Sequence, residues 1–105
     1  MSFTNYLELK ILDNTLGGPA FAPVTNVYVA ASTSSIADDG SGITEPVGGS
    51  YARVAVTNNP TNWPAAAAGT KSNGTPITFP EATAPWGIIT HFAIFDLAVG
   101  GNMLL

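Results

Sequence analysis

The apolar residues of this chain change their period at Gly17-Gly18-Pro19. Before that point Phe3, Leu7 and Ile11 recur at i, i+4 and i+8, with Leu12 and Leu16 beside them. That spacing lays one stripe along a helix. After it the period is two. Val27, Val29 and Ala31 alternate with Tyr28, Ala30 and Ser32, and Ala52, Val54 and Val56 alternate with Tyr51, Arg53 and Ala55. Alternation of this kind puts successive side chains on opposite faces of a strand. One short helix followed by strand-period segments restricts the chain to a mainly β fold. The expectation is a small antiparallel β-sandwich with a short N-terminal α-helix, in a single domain over residues 1–105. A length of 105 residues allows one domain.

The helix is expected at about residues 3–16. Ser2 or Thr4 supplies a side-chain oxygen to cap its first amides. Gly17-Gly18 ends it, because glycine takes the left-handed conformation beyond the last turn, and Pro19 cannot continue it. Strands are expected at 24–32, 51–58 and 88–95. A short edge-like strand at 76–79 has Pro76 at its start, where no ladder donor is needed. In the 88–95 segment Ile88, Phe92 and Ile94 fall on one side and Ile89 and Phe95 on the other, so both faces read as buried. Gly100-Gly101-Asn102 is a hairpin signal, since all three tolerate positive φ. It leads into Met103-Leu104-Leu105. Three residues are few for a closing strand. This apolar segment is therefore expected to need a further hairpin of its own chain, or another subunit, to complete its pairing.

Charge narrows the function. Only 10% of the residues are charged, against about 25% in an ordinary soluble domain. Three Lys+Arg against seven Asp+Glu give a net charge of −4. So few cations cannot make the phosphate contacts of nucleic-acid binding, nor a basic patch for an anionic membrane. The most apolar stretch, 86–99, contains Thr90, His91 and Asp96 and is shorter than the ~18 residues of a membrane span. Glu8 and Lys10 interrupt the N-terminal apolar stretch, unlike a secretory signal. Without Cys there is no disulfide, thiolate metal site or Cys nucleophile.

No constellation reads as catalytic. His91 is the single histidine, and Asp96 lies on the opposite strand face, roughly 16 Å away if extended. A histidine bonded within the sheet or at an interface is the plainer reading. Asp38, Asp39 and Glu45 place three carboxylates in eight residues, but their spacing is not that of an EF-hand loop. A turn whose Asp side chains bond their own backbone is favoured over calcium. Glu45 and Glu81 lie in loops where nothing fixes the separation that paired-carboxylate chemistry requires. Gly48-Gly49-Ser50 lacks the Lys and helix start of a phosphate loop. The checklist of nucleophile, base and oxyanion donors is unmet. A non-enzymatic protein with no catalytic, metal or cofactor residues is expected.

Two features point to binding surfaces. The loops 33–50 and 59–74 are long against a median of about 4–6 residues, and binding residues concentrate on such loops. Trp63 stands in the second. Together with Trp86 and Tyr51 it can form a sugar-stacking platform or serve as a core or interface anchor. Arg53, mid-strand among apolar residues, pairs with Glu45 or Asp96, or else faces a partner. The candidate interface residues are Phe3, Leu7, Ile11, Trp63, Met103, Leu104 and Leu105.

Several strings occur here in a familiar order. They are Ser2-Phe3-Thr4-Asn5-Tyr6-Leu7-Glu8 with Lys10-Ile11-Leu12-Asp13, then Tyr51-Ala52-Arg53-Val54-Ala55-Val56-Thr57-Asn58-Asn59 and Asn62-Trp63-Pro64-Ala65. Lys71-Ser72-Asn73-Gly74-Thr75 with Ile77-Thr78-Phe79-Pro80 follows, then Thr90-His91-Phe92, Phe95-Asp96 and Gly100-Gly101-Asn102. The ordered set resembles a family of small tailed-bacteriophage virion proteins, described as tail-fibre-like or minor structural proteins. Members continue past the Gly-Gly-Asn turn, so the native chain is expected to extend beyond Leu105. The resemblance implies a building block of the phage particle, assembled in the host cytoplasm. It would act as a homo-oligomer or as copies docked on other tail or capsid proteins. A tail-fibre role in assembly or host attachment leads. A capsid decoration protein stabilising the shell, or a module for host-surface glycans, is the alternative.

Overall fold

A computed structural model describes residues 3–105. It contains a helix α1 (Asn5–Thr15) and three strands, β1 (Asn26–Ser32), β2 (Val54–Thr57) and β3 (His91–Phe95). The strands form one antiparallel sheet in the order β2-β1-β3. The mainly β antiparallel class with a short N-terminal helix is borne out. Where two sheets of a sandwich were expected, the described residues form one sheet, and loops cover its faces.

The helix starts and stops for the anticipated reasons. Thr4 is extended (ψ 162°) and its Oγ1 accepts from Leu7 N–H at 3.2 Å. Ser2 lies outside the described residues. At the other end Leu16 leaves the helical region, Gly17 takes φ +97°, and Gly18 N–H closes back on Asp13 C=O at 2.6 Å. That is the long bond of a Schellman ending. Thr4 does more than cap. Its hydroxyl donates to Met103 C=O at 2.6 Å and its amide to Leu104 C=O at 3.0 Å. The root of α1 is thereby fastened to the last residues of the chain.

The two sheet faces follow from the alternation. Val27 and Val29 of β1 stand opposite Val56 and Val54 of β2, and Ile94 of β3 lies opposite Val29. These side chains, with Leu104, form one core, onto which Tyr6, Leu7, Trp63, Ile77 and Phe79 pack. The other face is lined by Ala30, Ala93, Phe95 and Met103, with Ile36 and Ile43 of the loop 33–50 against them. Ala30 and Ala93 are cross-strand partners, 0% and 1% exposed. Their small side chains let that loop approach the sheet closely.

Strand ends differ from the sequence expectation where a partner runs out. β2 begins at Val54 rather than at residue 51, because Tyr51 meets β1 by its side chain. Ala31 N–H donates to Tyr51 Oη at 3.0 Å, where a β2 carbonyl would otherwise sit. β3 begins at His91 rather than at residue 88, since β1 ends at Ser32, the partner of His91. Ile88 and Ile89 therefore do not enter the sheet; they are exposed, as is Phe92, so both faces of this segment are not buried. Residues 76–79 form no strand. Ile77 and Phe79 still point inward in alternation, but Pro76 and Pro80 bring no amide hydrogen for a ladder.

The C-terminal segment does find partners in its own chain. Phe95 bridges Met103, Leu104 N–H donates to Ile94 C=O at 2.7 Å, and Ile94 N–H donates to Leu105 C=O at 3.0 Å. Met103 and Leu104 are buried and Leu105 is half-buried. The expected hairpin through Gly100-Gly101-Asn102 is present. Asp96 organises it, accepting from Asn102 N–H at 2.7 Å and from Asn102 Nδ2 at 3.1 Å.

Candidate functional site

Arg53 is the centre of the densest polar cluster. It immediately precedes β2, in phase with Ala55, which turns it to the alanine-lined face, where its guanidinium lies 3.8 Å from the centroid of the Phe95 ring. Nε donates to Glu45 Oε1 and Nη2 to Glu45 Oε2, both at 2.9 Å, a bidentate pair. Nη1 donates to Leu97 C=O at 2.9 Å and Gly100 C=O at 2.8 Å. Tyr51 Oη donates to Glu45 Oε1 at 2.7 Å. One guanidinium thus joins β2, the loop 33–50 and the turn at 97–100. The Arg53 hydrogen bonds, then Tyr51, hold the Glu45 carboxyl below its ordinary value despite partial burial. Burial and the Glu45 carboxylate push the Tyr51 phenol up to about 12. Among the two carboxylates expected for Arg53, Glu45 is the partner and Asp96 is not. The arginine side chain is 7% exposed, and Glu45 takes its bidentate edge.

The aromatic residues divide into two groups. Tyr51 and Trp86 pack edge to face at 5.3 Å, and Phe79 joins both at 6.2 and 6.3 Å. Trp86 Nε1 donates to Gly49 C=O at 2.8 Å. A Cβ on Gly49 would lie 2.8 Å from Ala84 C=O, so the Gly48-Gly49-Ser50 turn is glycine-rich to admit this close approach. Trp63 is elsewhere, against the valine-lined core, and its buried Nε1 has no partner. Trp63, Trp86 and Tyr51 therefore do not make one stacking platform.

The remaining candidates stay apart. His91 is exposed and its Nδ1 meets only Thr90 Oγ1, at 2.8 Å. A cleft of about 300 Å³ has both His91 and Asp38 in its lining. Asp39 accepts from Ser41 N–H at 2.9 Å, and the Ser41 hydroxyl first, then this amide, hold its carboxyl below the ordinary value. Its side chain bonds its own loop, as the turn reading required. Glu81 is exposed and separate from the cluster. Among the described residues no three His, Asp or Glu side chains converge as a metal site.

The larger opening lies on the valine-lined face. It is an apolar groove of about 850 Å³, with Val27, Val29, Ile94 and Phe92 along the sheet and Trp63 and Leu105 at its sides. Of the expected interface residues, Leu7, Trp63, Leu104 and Leu105 line this groove, while Met103 lines the smaller cleft. Phe3 and Ile11 are 47% and 37% exposed, so of the helical stripe Leu7 is the residue that packs on the sheet core. Tyr6, absent from that stripe, does pack there beside Leu7. Its place one residue before Leu7 on a short helix gave no separate signal. From Ile11 to Ala20 every residue is exposed.

The described residues thus offer exposed leucines along α1, an open apolar groove and one enclosed ion pair. The family described as podophage GP4 fiber I protein gp80 matches residues 2–105. The chain belongs to this gp80 fibre family. The expected resemblance to small tailed-phage virion proteins is thereby borne out. As a gp80-family chain it is a phage fibre-type structural protein, associated with the virion and with other virion components. Among curated proteins none matches the chain.

Proposed function

We propose that this gp80-family chain is an assembly unit of a phage tail fibre, on the particle exterior, whose apolar surfaces are contacts to other virion proteins. The observation that carries this reading is the placement of its exposed large apolar residues. Leu9 and Leu12 stand on the free part of α1, Leu16 stands at its C-cap, and Phe92 stands at the open groove. Large exposed apolar patches mark interaction sites. A surface with few charges suits such contacts, because unpaired charges are costly to desolvate. Host attachment through glycans receives less support, since the aromatic rings pack on one another or on the core. Capsid decoration would use the same apolar surfaces on the shell instead of the tail. The test is to locate the chain in purified particles by tagging and electron microscopy, with binding of the isolated chain to host cells measured in parallel. Density at the tail without cell binding supports the proposal. Density on the head, or strong cell binding, overturns it.

A further inference from the structure

We propose that copies of this chain join head to tail, the free part of α1 of one copy seating in the valine-lined groove of the next. The inference deepens the assembly reading and rests on it. Leu9 and Leu12 are 63% and 56% exposed, and their spacing of three places them on one helix face, with Leu16, 75% exposed, at the C-cap one turn on. At 1.5 Å per residue the 11-residue α1 is about 16 Å long, a size that can lie along a sheet groove. The groove offers an apolar floor, and its single charged lining residue is Lys71. The helix offers the opposite sign. Glu8 and Asp13 outnumber Lys10, which is drawn over the ring of Tyr6 at 5.6 Å, so the helix is net acidic. Among the described residues the one side-chain ion pair is Arg53–Glu45, so Lys71, Glu8 and Asp13 have no charged side-chain partner among them.

The contact has to be between copies. Thr4 fastens the root of α1 to Met103 and Leu104, and Leu7 already lines the groove at that end. The exposed leucines lie farther along α1, past this anchor. Helix and groove are different surfaces, so the contact is heterologous and extends to a ring or a filament.

Sedimentation of the full chain over a range of concentrations tests this, with circular dichroism to check folding. The wild type should show mass rising with concentration. Leu12→Glu on the helix and Phe92→Glu at the groove replace exposed side chains, and each should weaken association by about tenfold or more. Mixed together, these two variants should recover a two-copy complex, because one intact helix still meets one intact groove. Lys71→Glu should weaken association, and Glu8→Lys with Asp13→Lys in the other copy should restore it. A wild type that stays monomeric overturns the contact, as does a mixture that fails to recover, the outcome for helix-on-helix pairing. Crosslinking of Lys71 to a different virion protein in particles also overturns it. A monomeric chain still present in purified particles would overturn this contact alone and leave the assembly reading standing.

Discussion

The two faces of the sheet solve the same burial problem differently. The alanine-lined face is the more closely covered, with a cleft of about 300 Å³ beside Ile36, Ala93 and Met103 against about 850 Å³ on the other. Ala30 and Ala93 leave room for the loop 33–50, and Glu45 of that loop is held to Arg53 by two hydrogen bonds. The valine-lined face is covered by side chains from irregular segments, namely Trp63, Ile77 and Phe79, and by the first turn of α1. These leave the groove. Small residues plus one well-satisfied ion pair let a face be closely covered, whereas large residues under sparse cover leave apolar surface for a partner.

The sharpest way to break this contrast is Glu45→Ala. It leaves Arg53 enclosed without its carboxylate and should cost about 3 kcal/mol, the lower end for a disrupted buried pair because Glu45 is a quarter exposed. Denaturant unfolding measures this. The same pair sets an acid limb. Glu45 has a folded pKa below its ordinary 4.5, so its contribution is present above that value and lost as pH falls through the folded one. Tyr51 sets an alkaline limb. Its folded pKa is raised, so its contribution is full below 10.0 and lost as pH rises toward about 12. Unfolding midpoints against pH should show both, and Glu45→Gln should flatten the acid one.

Smaller effects separate the faces further. Ala93→Leu overfills the closely covered face and should cost about 2 kcal/mol. Thr4→Ala removes the helix cap and the bond to Met103, with an expected loss of about 1 kcal/mol and faster hydrogen exchange at Leu104. Phe92→Ala on the open face should change the stability of the isolated chain by less than about 0.5 kcal/mol, since an exposed side chain leaves no cavity. A large loss there would show that the groove is part of the core.

Much of the frame was readable residue by residue. The cap at Thr4, the stop at Gly17, the alternation of β1 and the turn at Gly100-Gly101-Asn102 all follow from local chemistry. The bidentate Arg53–Glu45 pair was one of three partners the sequence allowed, because an arginine in an apolar strand has to be satisfied but does not say from where. The reading failed for Ile88 and Ile89, whose strand character is real but whose partner strand has ended. It failed for 76–79, where the alternation survives without a ladder. For the three aromatics it left platform and anchor both open, because burial habit cannot tell which rings meet.

By itself the sequence determined the mainly β class, the short helix, the absence of a basic surface and the phage-virion kinship. These depend on period, turn chemistry and composition, which are local or additive. Tertiary structure alone decided that Tyr51 substitutes for a strand carbonyl, that Thr4 ties the helix to Met103, and that one face is closely covered while the other stays open. Those outcomes depend on contacts between residues far apart in the chain, and no local pattern encodes which distant surface arrives first or fits best.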